Sequence, residues 1–211
     1  MEEELRALHK KHTWEIVNPP KNANIIGCKW VYTCKRDSAE RFICAKSQFV
    51  AQGFTQTFYV NYYKTNSPVV HLTSLWLICA IAACNDWPIH QMDVVTAYLN
   101  ASLQEPIFMS QPPGYREGTS NSVLLLRKCL YGLKQLGREW YECLCKVLAS
   151  IGFRKSSSGA AVDNLTITAP TEAILFGVKE DLIKVFRMKD LRWNTLASKS
   201  KDWKRRGKGN P

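Results

Sequence analysis

This sequence shows no zinc-binding pattern and no internal repeat, and we expect neither a secretory signal nor a membrane-spanning segment. Its eight cysteines form no CxxC pair and have no histidine cluster beside them, so their spacing suits no zinc site. The first residues are charged from Glu2 onward, which argues against a secretory signal. The longest apolar run, Leu75 to Cys84, has ten residues and is too short to cross a bilayer. We therefore expect reduced thiols and an intracellular protein, cytoplasmic or nuclear, with no membrane partner.

Negative charge is also scarce. The chain has 18 Asp and Glu compared with 29 Lys and Arg, which gives a net charge of +11. Such an excess favours an anionic partner, most often nucleic acid. Residues 192–211 hold seven basic residues and one Asp, so they contribute +6, and +5 remains in the rest of the chain. The charge therefore fits either a nucleic-acid-binding surface or a solvated basic tail on a moderately basic domain.

The chain is 45% hydrophobic, which is typical of a folded protein, and its apolar patterns predict a mixed α+β fold. The predicted helices cover 2–10, Ser67 to about Cys84, about Gly132 to Ile151, and 171–186, and the predicted strands cover 28–34, 41–51, 89–93 and 165–168. Ser67-Pro68 is a helix-start signal, and Gly152 suits the position just after a helix end. The run Leu75–Cys84 predicts a buried helix. Ile174, Val178, Leu182 and Val185 predict the apolar face of the last helix.

Four segments of the chain have distinctive motifs. They are Lys46–Gln56 (KSQFVAQGFTQ) followed by Ser67–Val70 (SPVV), Gln91–Asn100 (QMDVVTAYLN) followed by Gln111–Tyr115 (QPPGY), Leu130–Gln135 (LYGLKQ) followed by Arg138–Tyr141 (REWY), and Val162–Ile167 (VDNLTI). Together these segments resemble the reverse transcriptase of copia-type retrotransposons. Their order and spacing match that family from Trp14 to Leu191. The resemblance implies a fingers-and-palm polymerase fold, an RNA or DNA template-primer and dNTP as ligands, and two Mg²⁺ ions as cofactors.

The resemblance assigns metal-binding and catalytic roles to Asp93 and Asp163, because strand-tip carboxylates hold the two cations in such polymerases. A strand-end turn is the alternative for Asp93. Tyr98 matches the aromatic that lies under the dNTP sugar, or else belongs to the core. Gly132 would let the backbone approach the nucleotide or template closely, or would simply join a loop to a helix. Lys134 and Arg138 would contact phosphates of nucleic acid, or belong to a solvated helix face.

This copy departs from the family at functional positions. Asn164 replaces the second of two adjacent aspartates and removes one negative charge, and Ala161 replaces an aromatic just before them. Gln48 and Gln52 replace an Arg and a Lys expected to meet the nucleotide triphosphate, so two cations are missing from the nucleotide-binding position. Trp76 replaces a residue that is usually basic.

A deletion is expected near residues 154–161, where the family has a strand-bearing segment. The sequence there supplies no apolar strand for residues 165–167 to pair with, so we expect an incomplete palm sheet and a poorly positioned Asp163. The predicted organisation is an N-terminal segment over 1–13, the reverse transcriptase domain over 14–191, and a disordered basic tail over 192–211. The thumb, connection and RNase H parts of a complete element are expected to be absent.

Three functional hypotheses follow from these features. The first is an RNA-directed DNA polymerase that retains weak activity through Asp93 and Asp163. The second is a non-catalytic nucleic-acid-binding remnant, and the third is a decayed element with no selected role. Asn164, Gln48 and Gln52 favour an inactive copy of a reverse transcriptase.

Overall fold

The computed structural model describes residues 1–67, 72–154 and 164–191. The helices are α1 (Glu2–Lys10), α2 (Leu72–Cys84), α3 (Leu136–Ser150) and α4 (Glu172–Val185). The strands are β1 (Trp14–Val17), β2 (Ile25–Ile26), β3 (Cys28–Arg36), β4 (Phe42–Ala51), β5 (Ile89–Val94), β6 (Ser102–Met109), β7 (Val123–Lys128), β8 (Asn164–Thr168) and β9 (Met188–Asp190). This arrangement confirms a mixed α+β fold.

The chain divides into two compact units. The first unit comprises Met1–Ser67 and Thr96–Leu144, and the second comprises the described parts of Pro68–Val95 and Cys145–Pro211. The predicted disordered tail over 192–211 and most of the predicted deletion over 154–161 lie outside the described residues. No helix within the described ranges is long and apolar enough to span a membrane, and no disulfide bond forms among the described cysteines.

A four-stranded sheet in the order β1-β7-β6-β2 forms the centre of the first unit. Strands β6 and β7 pair antiparallel and each buries one side, with Ile107 and Met109 on β6 and Leu124 and Leu126 on β7. These side chains pack with Leu8 of α1 and Phe49 of β4 in one hydrophobic core. The sequence patterns predicted none of the four strands of this sheet.

The predicted hairpin over residues 28–51 is confirmed. Strands β3 and β4 pair antiparallel from Cys28↔Ala51 to Arg36↔Phe42, and the turn at 37–40 joins them. Near its base the hairpin enters the core, where Phe49 is fully buried and its ring lies 5.3 Å from that of Trp30. Towards its tip the hairpin is exposed on both faces.

A three-stranded antiparallel sheet, in the order β8-β5-β9, lies in the second unit, which also contains α2, α4 and the end of α3. The expectation that residues 165–167 would find no strand to pair with is wrong, because β8 pairs with β5 over its whole length. Strand β9 was not predicted. The predicted apolar face of α4 is also wrong in part. Ile174 and Val185 are exposed, whereas Leu175, Lys179 and Leu182 are buried.

The predicted helix over Gly132–Ile151 begins four residues later, at Leu136. Residues 131–135 form turns instead, since Gly132 has a left-handed φ of +93° and the buried Gln135 side chain bonds to residues outside the helix. The helix end is as predicted. Gly152 has a φ of +93°, and the Phe153 and Gly152 N–H groups donate to the carbonyls of Leu148 and Ala149, which is the Schellman arrangement.

Helix α2 is more exposed than its composition predicts. A helix that is apolar on all sides normally lies inside a core, yet Ala82 is its only buried side chain and Trp76 is 70% exposed. The prediction that Leu75–Cys84 is the inner part of a buried helix is therefore wrong for the described part of the chain. The predicted helix start at Ser67-Pro68 cannot be compared directly, because Pro68 lies outside the described residues.

Candidate polymerase site

Asp93 lies near the end of the central strand of the second unit, as predicted. Strand β5 alternates, so that Met92 and Val94 are buried on one side and Asp93 lies on the other, partly exposed. Such an alternation keeps a carboxylate accessible at the edge of an apolar layer. Asp93 therefore lies near the end of β5 on the side opposite to Met92 and Val94.

The strand register places Asn164 directly opposite Asp93 on β8. Lys189 of β9 is directly opposite Asp93 on the other side. Residues facing each other in an antiparallel pair are about 5 Å apart and lie on the same face of the sheet. The register thus brings Asn164 beside Asp93, whereas Asp163 and Ala161 lie outside the described residues.

Lys189 was missed by sequence reasoning. Its strand has only three residues, Met188–Asp190, which is too short for a recognisable alternation. Its register with Asp93 nevertheless brings a cation to the same row of the sheet as the carboxylate. The row therefore combines a group that attracts metal ions with one that attracts phosphates.

The residues present fit a magnesium site only in part. Mg²⁺ prefers hard oxygen ligands such as carboxylates, and Asp93 supplies one such group among the described side chains. Among the described residues, however, no group of three or more His, Cys, Asp or Glu side chains converges on one point. A negative charge is also missing at Asn164.

Gln48 and Gln52 lie at the base of the hairpin in the first unit. Phe49 enters the core, and successive residues of a strand lie on opposite faces. Gln48 is therefore on the other face of β4, where it pairs with Val31. The same face carries three exposed lysines, Lys29, Lys35 and Lys46. The face that carries glutamine at the family's cationic position therefore still has a positive charge.

The Gln52 backbone closes the base of the hairpin, with its N–H donating to Gly27 and its carbonyl accepting from the Thr55 N–H and hydroxyl. Beside it, Gly132 makes a close approach to β4. A Cβ atom added at Gly132 would lie 2.1 Å from the Ala51 carbonyl oxygen, so no larger residue fits there. The close approach that was predicted for Gly132 is thus an approach to the chain's own backbone.

Tyr98 lies in a 3₁₀ turn, Ala97–Asn100, and its ring meets that of Tyr131 edge to face at 5.1 Å. The Tyr131 carbonyl accepts a 2.8 Å hydrogen bond from the Ala51 N–H. The first unit therefore brings Tyr98 and Gly132 together around the end of β4, where Gln52 also lies. These three residues are far apart in the sequence and match different motifs of the family.

Lys134 and Arg138 have partners within the protein. The Lys134 ammonium group donates to the Gln56 carbonyl at 3.3 Å and to the Tyr62 hydroxyl at 3.2 Å, and it remains exposed. Arg138 forms a 2.8 Å ion pair with Glu142, one turn further along α3. The Arg138 side chain is only 24% exposed, whereas Lys134 still presents its charge to solvent.

A buried ionic cluster supports the sheet of the second unit. Lys179 of α4 is only 4% exposed and forms a 2.8 Å ion pair with Asp190 of β9. Its ammonium group also contacts the ring nitrogen Nδ1 of His90 on β5. A buried cation must be paired to be tolerated, so this cluster fixes α4 against β5 and β9. No sequence pattern predicted it.

Comparison with known proteins identifies relatives of this chain. Residues 11–196 match the family model described as reverse transcriptase (RNA-dependent DNA polymerase). The chain is 36% identical over 208 residues to the "Retrovirus-related Pol polyprotein from transposon RE1" of Arabidopsis thaliana, a match that covers 90% of this chain and 14% of that protein. It is 34% identical over 209 residues to the "Retrovirus-related Pol polyprotein from transposon TNT 1-94" of Nicotiana tabacum, covering 90% of this chain and 16% of that protein. The chain thus spans about a seventh of the length of these relatives.

Proposed function

We propose that this chain is the fingers-and-palm part of a reverse transcriptase. The premise is that it belongs to the reverse transcriptase (RNA-dependent DNA polymerase) family of copia-type retrotransposon Pol polyproteins. In this proposal the hairpin β3–β4 belongs to the fingers and the sheet β8-β5-β9 belongs to the palm. Its ligands are a template-primer and a dNTP. The register that sets Asp93 opposite Asn164 supports the proposal most strongly, because the family resemblance implies metal-binding carboxylates on adjacent strand tips.

The roles of the chain's own residues follow from the chemistry of nucleotide addition. The primer 3′-hydroxyl loses its proton and attacks the α-phosphate of a dNTP, and the bond from that phosphorus to pyrophosphate breaks as the new P–O bond forms. Two bound Mg²⁺ ions would supply charge stabilisation for this reaction. Asp93 and Asp163 would hold the metals, and Lys189 would attract a phosphate of primer or nucleotide. Tyr98 would pack under the sugar, where an aromatic ring excludes a 2′-hydroxyl by contact.

We further propose that this copy polymerises DNA at close to background rate. Asn164 offers a neutral amide where a second carboxylate would balance two divalent cations, and Gln48 and Gln52 offer no charge to the triphosphate. Removing one preorganised electrostatic group from an active site typically slows catalysis about 10²–10³-fold. The pairing of β8 with β5 removes one argument for inactivity, since β8 has a supporting strand, but it restores none of the missing charges.

A primer-extension assay with Mg²⁺, dNTPs and a primed RNA or DNA template tests this proposal. We expect extension close to background by the unmodified protein, together with retained binding of the template-primer. Asp93→Asn is the matched control, because it removes the charge and keeps the shape. Extension by the unmodified protein that Asp93→Asn abolishes would show that the copy is active. Absence of template-primer binding would contradict the polymerase assignment itself.

A second candidate function is nucleic-acid binding without catalysis. It is favoured by the three exposed lysines on one face of the hairpin and by the net charge of +11. A decayed element with no selected role is the third possibility. Binding that survives Asp93→Asn and the loss of Mg²⁺ supports the binding function, whereas a chain that does not bind nucleic acid at low salt fits the decayed element.

A further inference from the structure

The loop over residues 54–63, termed here the aromatic loop, is built with its polar side chains inside and its aromatic side chains outside. Gln56 and Asn61 are 5% and 2% exposed, whereas Phe54 and Tyr59 are 76% and 69% exposed. Folded chains normally bury the aromatic residues and expose the amides. An exposed cluster of aromatic side chains of this kind marks a binding surface.

A buried network of amide side chains holds the loop in this arrangement. Gln56 bonds to Gln135 at 3.0 Å, and Gln135 in turn donates to the Asn61 carbonyl at 2.9 Å. The Asn61 side chain accepts from the Thr57 N–H at 2.9 Å and from the Asn24 amide. Hydrogen-bonded networks in the interior rigidify a fold. The outward position of the aromatic rings is thus imposed by the polar residues beneath them.

Four of the five aromatic rings of the loop form a continuous row. Phe58 lies at its centre, with ring centroids 4.0 Å from Tyr59 and 5.4 Å from Tyr62, and Tyr59 lies 6.0 Å from Tyr63. Tyr59 has a φ of +62°, a conformation that a bulky residue rarely adopts. Such backbone conformations cluster at ligand-binding sites, where the surrounding structure maintains them.

Positive charge accompanies the row. From Gln52 to Ser67 the sequence has five aromatic residues and no Asp or Glu. Lys64 follows the last ring and is exposed, and the Lys134 ammonium group lies 4.9 Å from the centre of the Tyr62 ring. Exposed aromatic rings next to cations and without acidic residues complement a ligand that has flat faces and a negatively charged backbone.

We propose that the aromatic loop binds single-stranded nucleic acid, with bases stacked on Phe54, Phe58, Tyr59 or Tyr63 and phosphates near Lys64 and Lys134. Bases of a single strand are free to stack on protein rings, whereas those of a duplex are already stacked on each other. The choice of nucleic acid as ligand rests on the proposed function. Within that function, the loop would hold the unpaired part of the template.

Fluorescence anisotropy with a labelled 12-nucleotide oligothymidine and a 12-base-pair duplex tests the proposal on the full chain. We expect Phe54→Ala and Tyr59→Ala each to weaken single-strand binding roughly fivefold to a hundredfold, because stacking on one ring contributes about that much. Duplex binding should stay within about twofold. The salt dependence of single-strand binding should not change, since neither substitution removes a charge.

Two control variants define the result. Tyr59→Phe keeps the ring and should bind as the unmodified protein does. Phe42→Ala removes an aromatic side chain that is 64% exposed in the same unit but at the far end of β4, and it should have no effect. Unchanged single-strand binding in both loop variants, or an equal loss of duplex binding, would overturn the inference alone. An unmodified protein that binds neither ligand would overturn the proposed function as well.

Photocrosslinking of a bromodeoxyuridine oligonucleotide to the unmodified protein gives an independent test that does not depend on the folding of a variant. Trypsin cleaves after Lys46 and Lys64, so the whole aromatic loop lies in one peptide, residues 47–64. We expect this peptide to carry a crosslink in mass spectra. Crosslinks confined to other peptides would contradict the proposal. Sedimentation of the protein alone, with and without Phe54→Ala, measures self-association and so tests the alternative that the aromatic loop pairs two copies of the chain.

Discussion

Asn164 has an amide side chain at the position where the family resemblance places a second carboxylate. Two divalent cations at one site repel each other, and the anionic ligands around them offset that repulsion. An amide oxygen can coordinate Mg²⁺ but contributes no net charge. The difference from a carboxylate is therefore one of charge, at a position that the register sets opposite Asp93.

Restoration of the missing charges should rescue polymerisation only in combination. We expect Asn164→Asp alone to leave primer extension near background, because Gln48 and Gln52 still provide no cation for the triphosphate. The triple variant Asn164→Asp, Gln48→Arg and Gln52→Lys should extend a primer at least about tenfold faster than any single variant, since each such group contributes about 10²–10³ in rate. The measurement is single-turnover extension at saturating dNTP.

The matched control for that experiment is the same triple variant with Asp93→Asn. If extension by the triple variant survives loss of Asp93, the activity does not come from this site. If the triple variant is no faster than Asn164→Asp alone, Gln48 and Gln52 are not at the triphosphate.

The Lys179–Asp190 pair should contribute strongly to the stability of the second unit. Lys179→Ala removes a buried cation and leaves Asp190, whose side chain is 30% exposed, without that partner. Removing one member of a buried pair costs about 3–5 kcal/mol, and we expect about 2–3 kcal/mol here because Asp190 is partly solvated. Urea unfolding measures the change. Lys184→Ala, which removes a lysine that is 71% exposed from the same helix, should change the free energy of unfolding by less than about 0.5 kcal/mol.

Among the elements, the tip of the hairpin β3–β4 depends on one carboxylate. Asp37 accepts hydrogen bonds from the Arg41 and Ala39 N–H groups, both at 2.9 Å, and forms a 2.8 Å ion pair with Arg41. The backbone hydrogen bond from Arg41, followed by the side-chain bond from Arg41, lowers the pKa of Asp37 below its ordinary value. Because the folded pKa is lowered, the turn is stabilised above the ordinary Asp pKa of about 3.9, and this stabilisation is lost as the pH falls through the folded pKa.

We therefore expect the Asp37 carboxyl carbon to titrate in NMR spectra with a midpoint below that of Asp in an unstructured peptide. Protection of the Arg41 amide from hydrogen exchange, corrected for the intrinsic effect of pH, should fall at low pH. Arg41→Gln should move the midpoint upward. A midpoint at or above the ordinary value would contradict the hydrogen-bonded turn.

Helix α2 allows a test of its exposure. Trp76→Arg should change the free energy of unfolding by less than about 0.5 kcal/mol, because the Trp76 side chain is 70% exposed. It should also reduce self-association, since it places a charge in an apolar surface. Leu175→Ala in the same unit is the buried counterpart, and it should cost about 2–5 kcal/mol. A loss above about 2 kcal/mol for Trp76→Arg would show that α2 is covered in solution.

The elements also show what the sequence could and could not predict. Strand β5 with Asp93, the hairpin and the end of α3 at Gly152 were predicted, because their signals are local. Strand β6 was missed because Pro106 lies within it, and proline normally argues against a strand. The structure accommodates Pro106 through an irregular register between Ser102 and Ile107.

Burial was harder to predict than secondary structure. The apolar run of β7, Val123–Leu126, does not distinguish a strand from a buried helix segment. The buried face of α4 includes Lys179, which is stable there only because Asp190 lies eleven residues away in sequence but 2.8 Å away in space. Lys189 became a candidate site residue for the same reason, since only the sheet register brings it beside Asp93.

Over the whole molecule, the site residues are divided between the two units. Asp93, Asn164 and Lys189 belong to the second, whereas Gln48, Gln52, Tyr98 and Gly132 belong to the first. Under the proposed function, Asp93 of the second unit would hold metal, and Tyr98 of the first unit would pack under the nucleotide sugar.

The distribution of charge along the chain leads to the last prediction. Residues 192–211 carry +6 of the net +11, so their deletion should reduce the salt dependence of nucleic-acid binding. Each phosphate contact that is lost lowers the slope of log K against log salt by about 0.9 for a duplex and about 0.7 for a single strand. Because the aromatic loop is retained, the deletion should weaken duplex binding more than single-strand binding at low salt. Anisotropy titrations between about 50 and 200 mM salt, where such contacts change affinity most clearly, measure both slopes. An unchanged slope would show that the tail does not contact phosphates. An equal loss of affinity for the duplex and the single strand would show that the aromatic loop is not the source of single-strand preference.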